Sequence, residues 1–485
     1  MLLSNLLSKV GISIESNSDF FVEGLTSDSR LVKENYIFFA INGAQMDGYN
    51  FIDDAIVSGA KALFVENDAR GLSEKILIVH SENIRSLYAK LVSFFYHGKP
   101  DNIVAVTGTN GKTSVADFCR QIWDFLGFNS ASIGTMGVVS KSYNSPSTLT
   151  TPDPVFLHTA CSRLALEGVK YLAVEASSHG LSQGRLDGLK VDVAGFTYLG
   201  RDHLDYHGSL NSYFLAKKRL FSDLLFEDGI AVLNADIKEY AEIADICKRV
   251  GKEVFTYGFN GSDLRLTNIS YMQKSLKVDF LYQGQSKSFN TKLIGNFQVM
   301  NLLCAIGLVL KSGADFNDII EVLNLIRPVR GRLEYIGGEN KDVSIFIDYA
   351  HTPEAISNSL NVLRPHTKAK LAILFGAGGN RDFGKRVLMG EAASSFADII
   401  YITDDNPRLE NPEKIRKDIL RGCPNAQEIP NRLEAIRSAI SSLDSGDVLL
   451  IAGKGHETSQ ILGDTAFPFN DKEIALEALK RSETH

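Results

Sequence analysis

The stretch Ile103-Val-Ala-Val-Thr-Gly108-Thr-Asn-Gly111-Lys112-Thr113-Ser114 constrains the fold more than any other part of this chain. A short apolar run gives way to a glycine-punctuated loop, and the residues from Ser114 to Leu126 carry the spacing of a helix. A strand that turns into a helix through glycines leaves a run of backbone N–H groups at the helix N-terminus, where phosphates bind. Lys112 would reach the outer phosphates and the Thr113 hydroxyl would hold a magnesium ion. Gly108, Thr109, Asn110, Gly111, Lys112, Thr113 and Ser114 are therefore the expected ATP cradle. The common pattern G-x-x-x-x-G-K-[ST] would put its first glycine at Val106, whereas the paired glycines here are Gly108 and Gly111.

Composition narrows what surrounds that loop. The chain has 485 residues, 44% of them hydrophobic and 22% charged, which is enough for two to four domains with separate cores. A net charge of -7 without a basic run argues against a nucleic-acid groove or an anionic membrane surface. No stretch approaches the roughly 18 apolar residues of a membrane span. The Met1-Leu-Leu-Ser-Asn-Leu-Leu start lacks a basic segment and a small-residue cleavage site, so a cytoplasmic protein is expected. Cys119, Cys161, Cys247, Cys304 and Cys423 form no C-x-x-C pair, which predicts reduced, buried residues rather than a zinc site or a disulfide framework.

Three segments differ in texture, and the expected fold class is α/β throughout. Residues 1–96 carry short strands such as Tyr36–Ala40 and Ala62–Val65 and no phosphate loop, which suits a small α/β N-terminal domain. Residues 97–326 alternate apolar strands with amphipathic helices, as in a doubly wound parallel sheet, with strands at Ile103–Val106, Tyr171–Val174, Val191–Phe196 and Ile230–Leu233. After a break near Arg327-Pro-Val-Arg-Gly-Arg332, residues 327–485 resume the alternation in a Rossmann-like C-terminal domain. Its expected strands are Val343–Ile347, Leu371–Phe375, Ile399–Ile402 and Val448–Ile451.

Polar residues gather where those strands end. The late strands run into Asp348-Tyr-Ala-His351, Gly376-Ala-Gly-Gly-Asn-Arg381, Asp404-Asp-Asn-Pro-Arg408 and Gly453-Lys-Gly-His-Glu457. Ligands of open α/β sheets bind beyond the carboxyl ends of the strands, so these loops are expected to share one crevice. In the middle segment, Glu175 ends a strand where a magnesium ion on ATP would sit, since magnesium takes one or two carboxylates plus phosphate oxygens. His203 and His207, four apart, could instead share a helix face and bind zinc, but no third ligand is evident and there is no H-E-x-x-H.

Glycine loop, strand-end glutamate, Arg201-Asp-His-Leu-Asp-Tyr-His-Gly208 and Ala216-Lys217-Lys-Arg-Leu-Phe221 follow one another in the order seen in the Mur ligase superfamily, which the chain closely resembles over nearly its whole length. Thr26-Ser-Asp-Ser29-Arg30, Leu149-Thr150-Thr151-Pro-Asp153 and Asp405-Asn406-Pro407-Arg408 point to the branch that adds the third residue of the peptidoglycan stem peptide. Two positions depart from the pattern: Tyr198 and Leu149 each stand where asparagine is usual in the family or in some members.

The resemblance implies the chemistry. ATP phosphorylates the glutamate carboxylate of UDP-N-acetylmuramoyl-L-alanyl-D-glutamate, and an incoming amine attacks the acyl phosphate. Lys112, Glu175, His203 and Lys217 are the implied catalytic set. Thr113 and Glu175 serve one Mg2+ and His203 a second, and Lys217 carries a carbamate, as N6-carboxylysine, beside it. Asn296, Asn301, Arg332 and His351 match further ATP contacts. Ser27, Ser29, Ala44, Gln45, Met46, Thr150, Thr151, Ser177, Gln183 and Arg185 match the muramoyl-nucleotide site. Arg381, Asp405, Asn406, Pro407, Arg408, Gly453 and Glu457 match the amino-acid site.

In the family it resembles, members that add meso-diaminopimelate carry D-N-P-R, so the resemblance implies that amine here, with the Arg408 guanidinium giving its distal carboxylate a planar, permanently charged partner. A lysine-adding version of the same ligase, a folylpolyglutamate synthase-like ligase and a P-loop kinase are the alternatives. A monomer without nucleic-acid or membrane partners is expected.

Overall fold

The computed structural model describes residues 1–43, 46–66, 76–271, 275–338 and 341–483, with backbone only for residues 16, 271, 482 and 483. Two compact units account for the chain. One comprises Met1–Leu266, Leu281–Gln285 and Leu302–Val322, and the other Thr267–Phe280, Ser286–Asn301 and Leu323–His485.

The first unit opens with a four-stranded parallel sheet, Gly24–Thr26, Tyr36–Phe39, Ala60–Val65 and Leu77–His80, in that order. Its larger sheet then runs, in spatial order, Glu253–Gly258, Leu225–Asn234, Val191–Phe196, Asn102–Thr107, Tyr171–Glu175, Ser130–Gly134 and Gly137–Ser140. From Asn102–Thr107 the chain builds one side of the sheet through Ser130–Gly134 to Tyr171–Glu175 and then crosses over to Val191–Phe196, so the crevice of a switch point opens at the carboxyl end of Asn102–Thr107. Register places Val106 beside Glu175 and Thr107 beside Phe196, which sets the start of the glycine loop between two strand ends.

Two features depart from the expected strict alternation. Gly137–Ser140 pairs antiparallel at the sheet edge, because the two residues after Gly134 make a tight turn that no crossover helix can fill. Leu264–Tyr271, Leu276–Tyr282 and Gln285–Thr291 follow one another with no helix between them.

The second unit has a six-stranded sheet ordered Glu334–Gly337, Ser344–Asp348, Val448–Ala452, Leu371–Phe375, Ile399–Ile402 and Gln427–Glu428. All neighbours are parallel except the first pair. Its strands read as continuous apolar runs because both faces are covered. Phe346, Ile373, Phe375 and Leu450 pack on one face and Ile345, Ile347, Leu374 and Leu449 on the other. The five cysteines are all unpaired and buried. Among the described residues no helix is long and apolar enough to cross a membrane.

Candidate active site

The loop after Asn102–Thr107 is held from below. Gly108 has φ 148° and Gly111 φ 90°, and Gly111 caps helix Lys112–Phe125. The Thr109 N–H donates to the Tyr198 carbonyl at 2.7 Å. Thr197 Oγ1 donates to the Asn110 carbonyl at 2.6 Å, and the Thr109 hydroxyl accepts from the Gly200 N–H at 2.8 Å and from the Tyr213 hydroxyl at 3.1 Å. Tyr198 therefore contributes through its backbone while its side chain is 43% exposed, so its departure from the family pattern leaves the loop intact. Leu149 is likewise exposed.

A Cβ on Gly108 would lie 1.9 Å from Thr197 Oγ1 and 3.1 Å from the Tyr198 backbone. Gly108→Ala is therefore expected to weaken ADP binding about tenfold to a hundredfold, measured by titration calorimetry. Unchanged affinity would show that the clamp has no part in nucleotide binding.

Two lysines meet at this loop. Lys112 Nζ donates to the carbonyls of Gly108 at 2.8 Å and Thr109 at 2.9 Å. Lys217, on helix Leu210–Arg219, donates to the same Gly108 carbonyl at 2.8 Å, and its ammonium lies 4.3 Å over the Tyr213 ring. Burial, reinforced by the Lys112 charge and opposed by Asp202, holds the Lys217 pKa well below the ordinary lysine value. Lys218 turns outward and pairs with Glu242.

Glu175 is buried at the end of strand Tyr171–Glu175. Its Oε2 accepts from the Thr113 hydroxyl at 2.9 Å and its Oε1 from the Thr135 N–H at 2.8 Å. Thr135 Oγ1 donates to Oε2 at 3.2 Å and lies 3.1 Å from Thr150 Oγ1, whose hydroxyl can donate back to it. These hard oxygen donors suit a magnesium ion. Among the described residues no three His, Cys, Asp or Glu side chains could hold a metal by themselves. An ion at Thr113 and Glu175 would complete its shell with ligand oxygens.

Beyond Glu175, the Thr151 hydroxyl donates to the Glu175 carbonyl at 2.7 Å and accepts the Ser177 N–H at 2.9 Å. Arg185 donates to the Thr151 carbonyl at 2.7 Å and grips Gln183 Oε1 at 2.6 and 3.1 Å. The Tyr88 hydroxyl hydrogen-bonds Ser27 and reaches Asp153 at 3.4 Å, joining the four-stranded sheet to this strip. Ser29 opens a one-turn helix capped by Asp28, and Met46 is exposed. Ala44 and Gln45 lie outside the described residues.

His203 caps helix Leu204–His207 at φ 52°. Its ring centroid lies 4.7 Å from that of His179, which is also 5.6 Å from that of His207. Burial is the main cause that lowers all three pKa values, with His179 and His207 pushed down to about 4, so these rings are neutral at neutral pH. For His203 the Lys112 and Lys217 charges reinforce burial while Asp202 opposes it.

The second unit has its own cluster. Asn296 starts helix Asn296–Lys311, and Asn301 donates to Gln298 Oε1 at 3.2 Å. The Arg332 guanidinium lies 4.7 Å over the Tyr349 ring, and His351 Nδ1 is 2.9 Å from the Tyr349 carbonyl. Buried Asp348 accepts the Leu333 and Ala350 N–H groups at 2.6 and 2.9 Å, and burial raises its pKa. Arg408 has φ 53° and donates through Nη1 to the Gly379 carbonyl at 3.0 Å. Asn406 donates to Glu457 Oε2 at 2.8 Å, and Gly453 abuts Asp405, leaving no room for a Cβ. Pro407 is buried, and Arg381 is exposed on the loop after Leu371–Phe375.

Sequence reasoning passed over Thr135, His179 and Lys454. Thr135 gives no local sign of its role, because it meets Glu175 only through the fold. Lys454 stands inside the strand-end run Gly453–Glu457, and its position there is the available signal; His179 lies four residues after the strand-end Glu175.

Comparison with known proteins finds relatives along nearly the whole chain. Profiles described as "Mur ligase family, catalytic domain", "Mur ligase middle domain" and "Mur ligase, glutamate ligase domain" match residues 21–96, 106–309 and 331–455. A UDP-N-acetylmuramoyl-L-alanyl-D-glutamate--2,6-diaminopimelate ligase of Bradyrhizobium diazoefficiens is 46% identical over 462 residues, covering 94% of this chain and 95% of that protein. A solved structure of a ligase of that name is 30% identical, covers 100% of both chains and superposes with a TM-score of 0.73. The MurF ligase from Thermotoga maritima, solved with ADP, shares the fold at 19% identity, with a TM-score of 0.64 over 97% of this chain and 99% of its own.

Fold and likeness together define an ATP-dependent, amide-forming ligase with a three-domain α/β architecture. The chain belongs to the Mur ligase family.

Proposed function

We propose that this ligase joins meso-diaminopimelate to the glutamate carboxylate of UDP-N-acetylmuramoyl-L-alanyl-D-glutamate at the expense of ATP, in peptidoglycan precursor synthesis. The observation that carries the reading is Lys217: a fully buried lysine whose ammonium touches the phosphate loop at Gly108 and whose pKa burial depresses. Only a neutral amine takes up carbon dioxide, and an ordinary lysine with a pKa of about 10.4 is almost wholly protonated at pH 7. The burial of Lys217 removes that obstacle to a carbamate. A P-loop kinase has no use for such a group.

In this reading Lys112 and the loop N–H groups of 108–114 steady the phosphates of ATP. Thr113 and Glu175 would hold one magnesium ion, and His203 with the Lys217 carbamate a second. Such ions neutralise charge on the phosphate oxygens as the phosphoryl group passes to the carboxylate. Thr150, Thr151, Ser177, Gln183 and Arg185 take the muramoyl dipeptide, and Ser27, Ser29 and the 44–46 segment its uridine nucleotide. Asn296, Asn301, Arg332 and His351 serve ATP. Arg381, Asp405, Asn406, Pro407, Arg408, Gly453 and Glu457 take the amino acid, with Arg408 on its distal carboxylate and Glu457 on its ammonium.

Residues 1–96, 97–326 and 327–485 act as the uridine-nucleotide, ATP and amino-acid domains. In this reading the protein is a cytoplasmic monomer acting on small molecules.

The test is phosphate release from ATP with the muramoyl dipeptide nucleotide and meso-diaminopimelate, lysine or no amine. Release is expected with diaminopimelate, together with a tripeptide product seen by mass spectrometry. Turnover with lysine alone would defeat the Arg408 assignment, and equal hydrolysis without the nucleotide sugar would defeat the ligase reading.

A further inference from the structure

Lys454 has no task in the chemistry set out above, although it is 0% exposed. It follows strand Val448–Ala452 between Gly453 and Gly455, both at positive φ (107° and 54°). Neither glycine has room for a side chain. A Cβ on Gly453 would lie 2.6 Å from Asp405 Oδ2, and one on Gly455 2.8 Å from the Gly331 carbonyl oxygen.

The turn carries the lysine into the amino-acid cluster. Lys454 Nζ donates to Asn406 Oδ1 at 2.8 Å and to Glu457 Oε2 at 2.9 Å. Asn406 Nδ2 donates to the same Glu457 oxygen at 2.8 Å, and Asn406 Oδ1 also accepts the Ile461 N–H at 3.0 Å. Two donors on Oδ1 and a carboxylate on Nδ2 fix which way the Asn406 amide points.

We propose that Lys454 is a positioning residue that sets specificity for the acceptor amino acid by locking Asn406 and Glu457 in one orientation; this rests on the functional reading above. A lone carboxylate at Glu457 would attract any ammonium group. With Lys454 paired to Oε2, the carboxylate is charge-balanced and its rotamer held, so Oε1 meets an incoming ammonium from one direction. A carboxylate on the same carbon as that ammonium then approaches a neutral pair rather than a bare negative charge. Diaminopimelate carries such a carboxylate and lysine does not, so Lys454 favours the former.

Lys454→Met and Lys454→Gln in the full-length enzyme test this by steady-state kinetics. The KM for meso-diaminopimelate is expected to rise about tenfold to a hundredfold in both. The KM values for ATP and the nucleotide sugar should stay within about twofold, and the preference for diaminopimelate over lysine should fall about tenfold. In a Glu457→Gln background, Lys454→Met should add less than about threefold, since the two side chains act as one unit.

An unchanged KM for diaminopimelate, or equal rises in all three KM values, would overturn the proposal. Should Lys454→Met lose its cooperative melting transition, Lys454→Gln decides alone, because it leaves a polar amide in the buried site while removing the charge and shortening the reach to Asn406 and Glu457. Wild-type turnover indifferent to diaminopimelate would defeat the functional reading before any variant is compared.

Discussion

Lys217→Ala is expected to lower the rate of amide formation about a hundredfold to a thousandfold, because it deletes a group aimed at the phosphate loop. Acetate or formate at millimolar concentration should restore part of the lost activity by offering a carboxylate in the vacated space. Full activity in Lys217→Ala would exclude a carbamate there.

The same residue predicts an opposite effect on stability. Burial holds its folded-state pKa well below the value near 10.4 that the unfolded chain would show. Between those two values the unfolded chain binds the extra proton, so stability rises with pH across that window by about 1.4 kcal/mol per unit for the one group. Below the depressed pKa the penalty is complete. Lys217→Met should therefore be more stable than the parent at pH 7 in CO2-free buffer, with a flatter dependence on pH from 7 to 9. Urea unfolding at several pH values measures this, and parallel curves for the two proteins would contradict it.

Arg408→Ala should reduce kcat/KM for meso-diaminopimelate about a hundredfold to a thousandfold, the cost of leaving one partner of a charge-assisted pair alone. Turnover of lysine should change little, so the two amines become comparable substrates. The geometry sharpens this expectation. Arg408 sits at φ 53°, its N–H donates to the Ile461 carbonyl at 3.1 Å and its own carbonyl accepts the Gly463 N–H at 2.9 Å. Backbone bonds on both sides therefore hold the residue, and the guanidinium is steadied on the Gly379 carbonyl, with no carboxylate paired to it among the described residues. Competition assays with both amines present would read the ratio directly, and an unchanged preference would remove Arg408 from the specificity set.

Local order made much of the site legible. Apolar runs end at Thr107 and Glu175, and glycines follow where the chain must turn, so strand ends and loop starts could be read along the chain. The antiparallel edge at Gly137–Ser140 escaped notice because its short run differs from a parallel strand only in its partner. Thr135 escaped for a similar reason: its bond to Glu175 spans forty residues and leaves no periodic trace.

The sequence alone determined the strand, the glycine loop and the helix at residues 102–125, since these follow from apolar patterning and from backbone angles that glycine adopts freely. It also supplied two adjacent lysines on helix Leu210–Arg219. Neighbouring helical positions face about 100° apart, so only one of the two can point inward. Tertiary packing chose Lys217, placing it on the Gly108 carbonyl and over Tyr213, and left Lys218 to Glu242 at the surface. Packing likewise made Lys454 a buried partner of Glu457. Depth and partner, which together fix a charge's protonation and reach, arise from contacts between segments far apart in the chain.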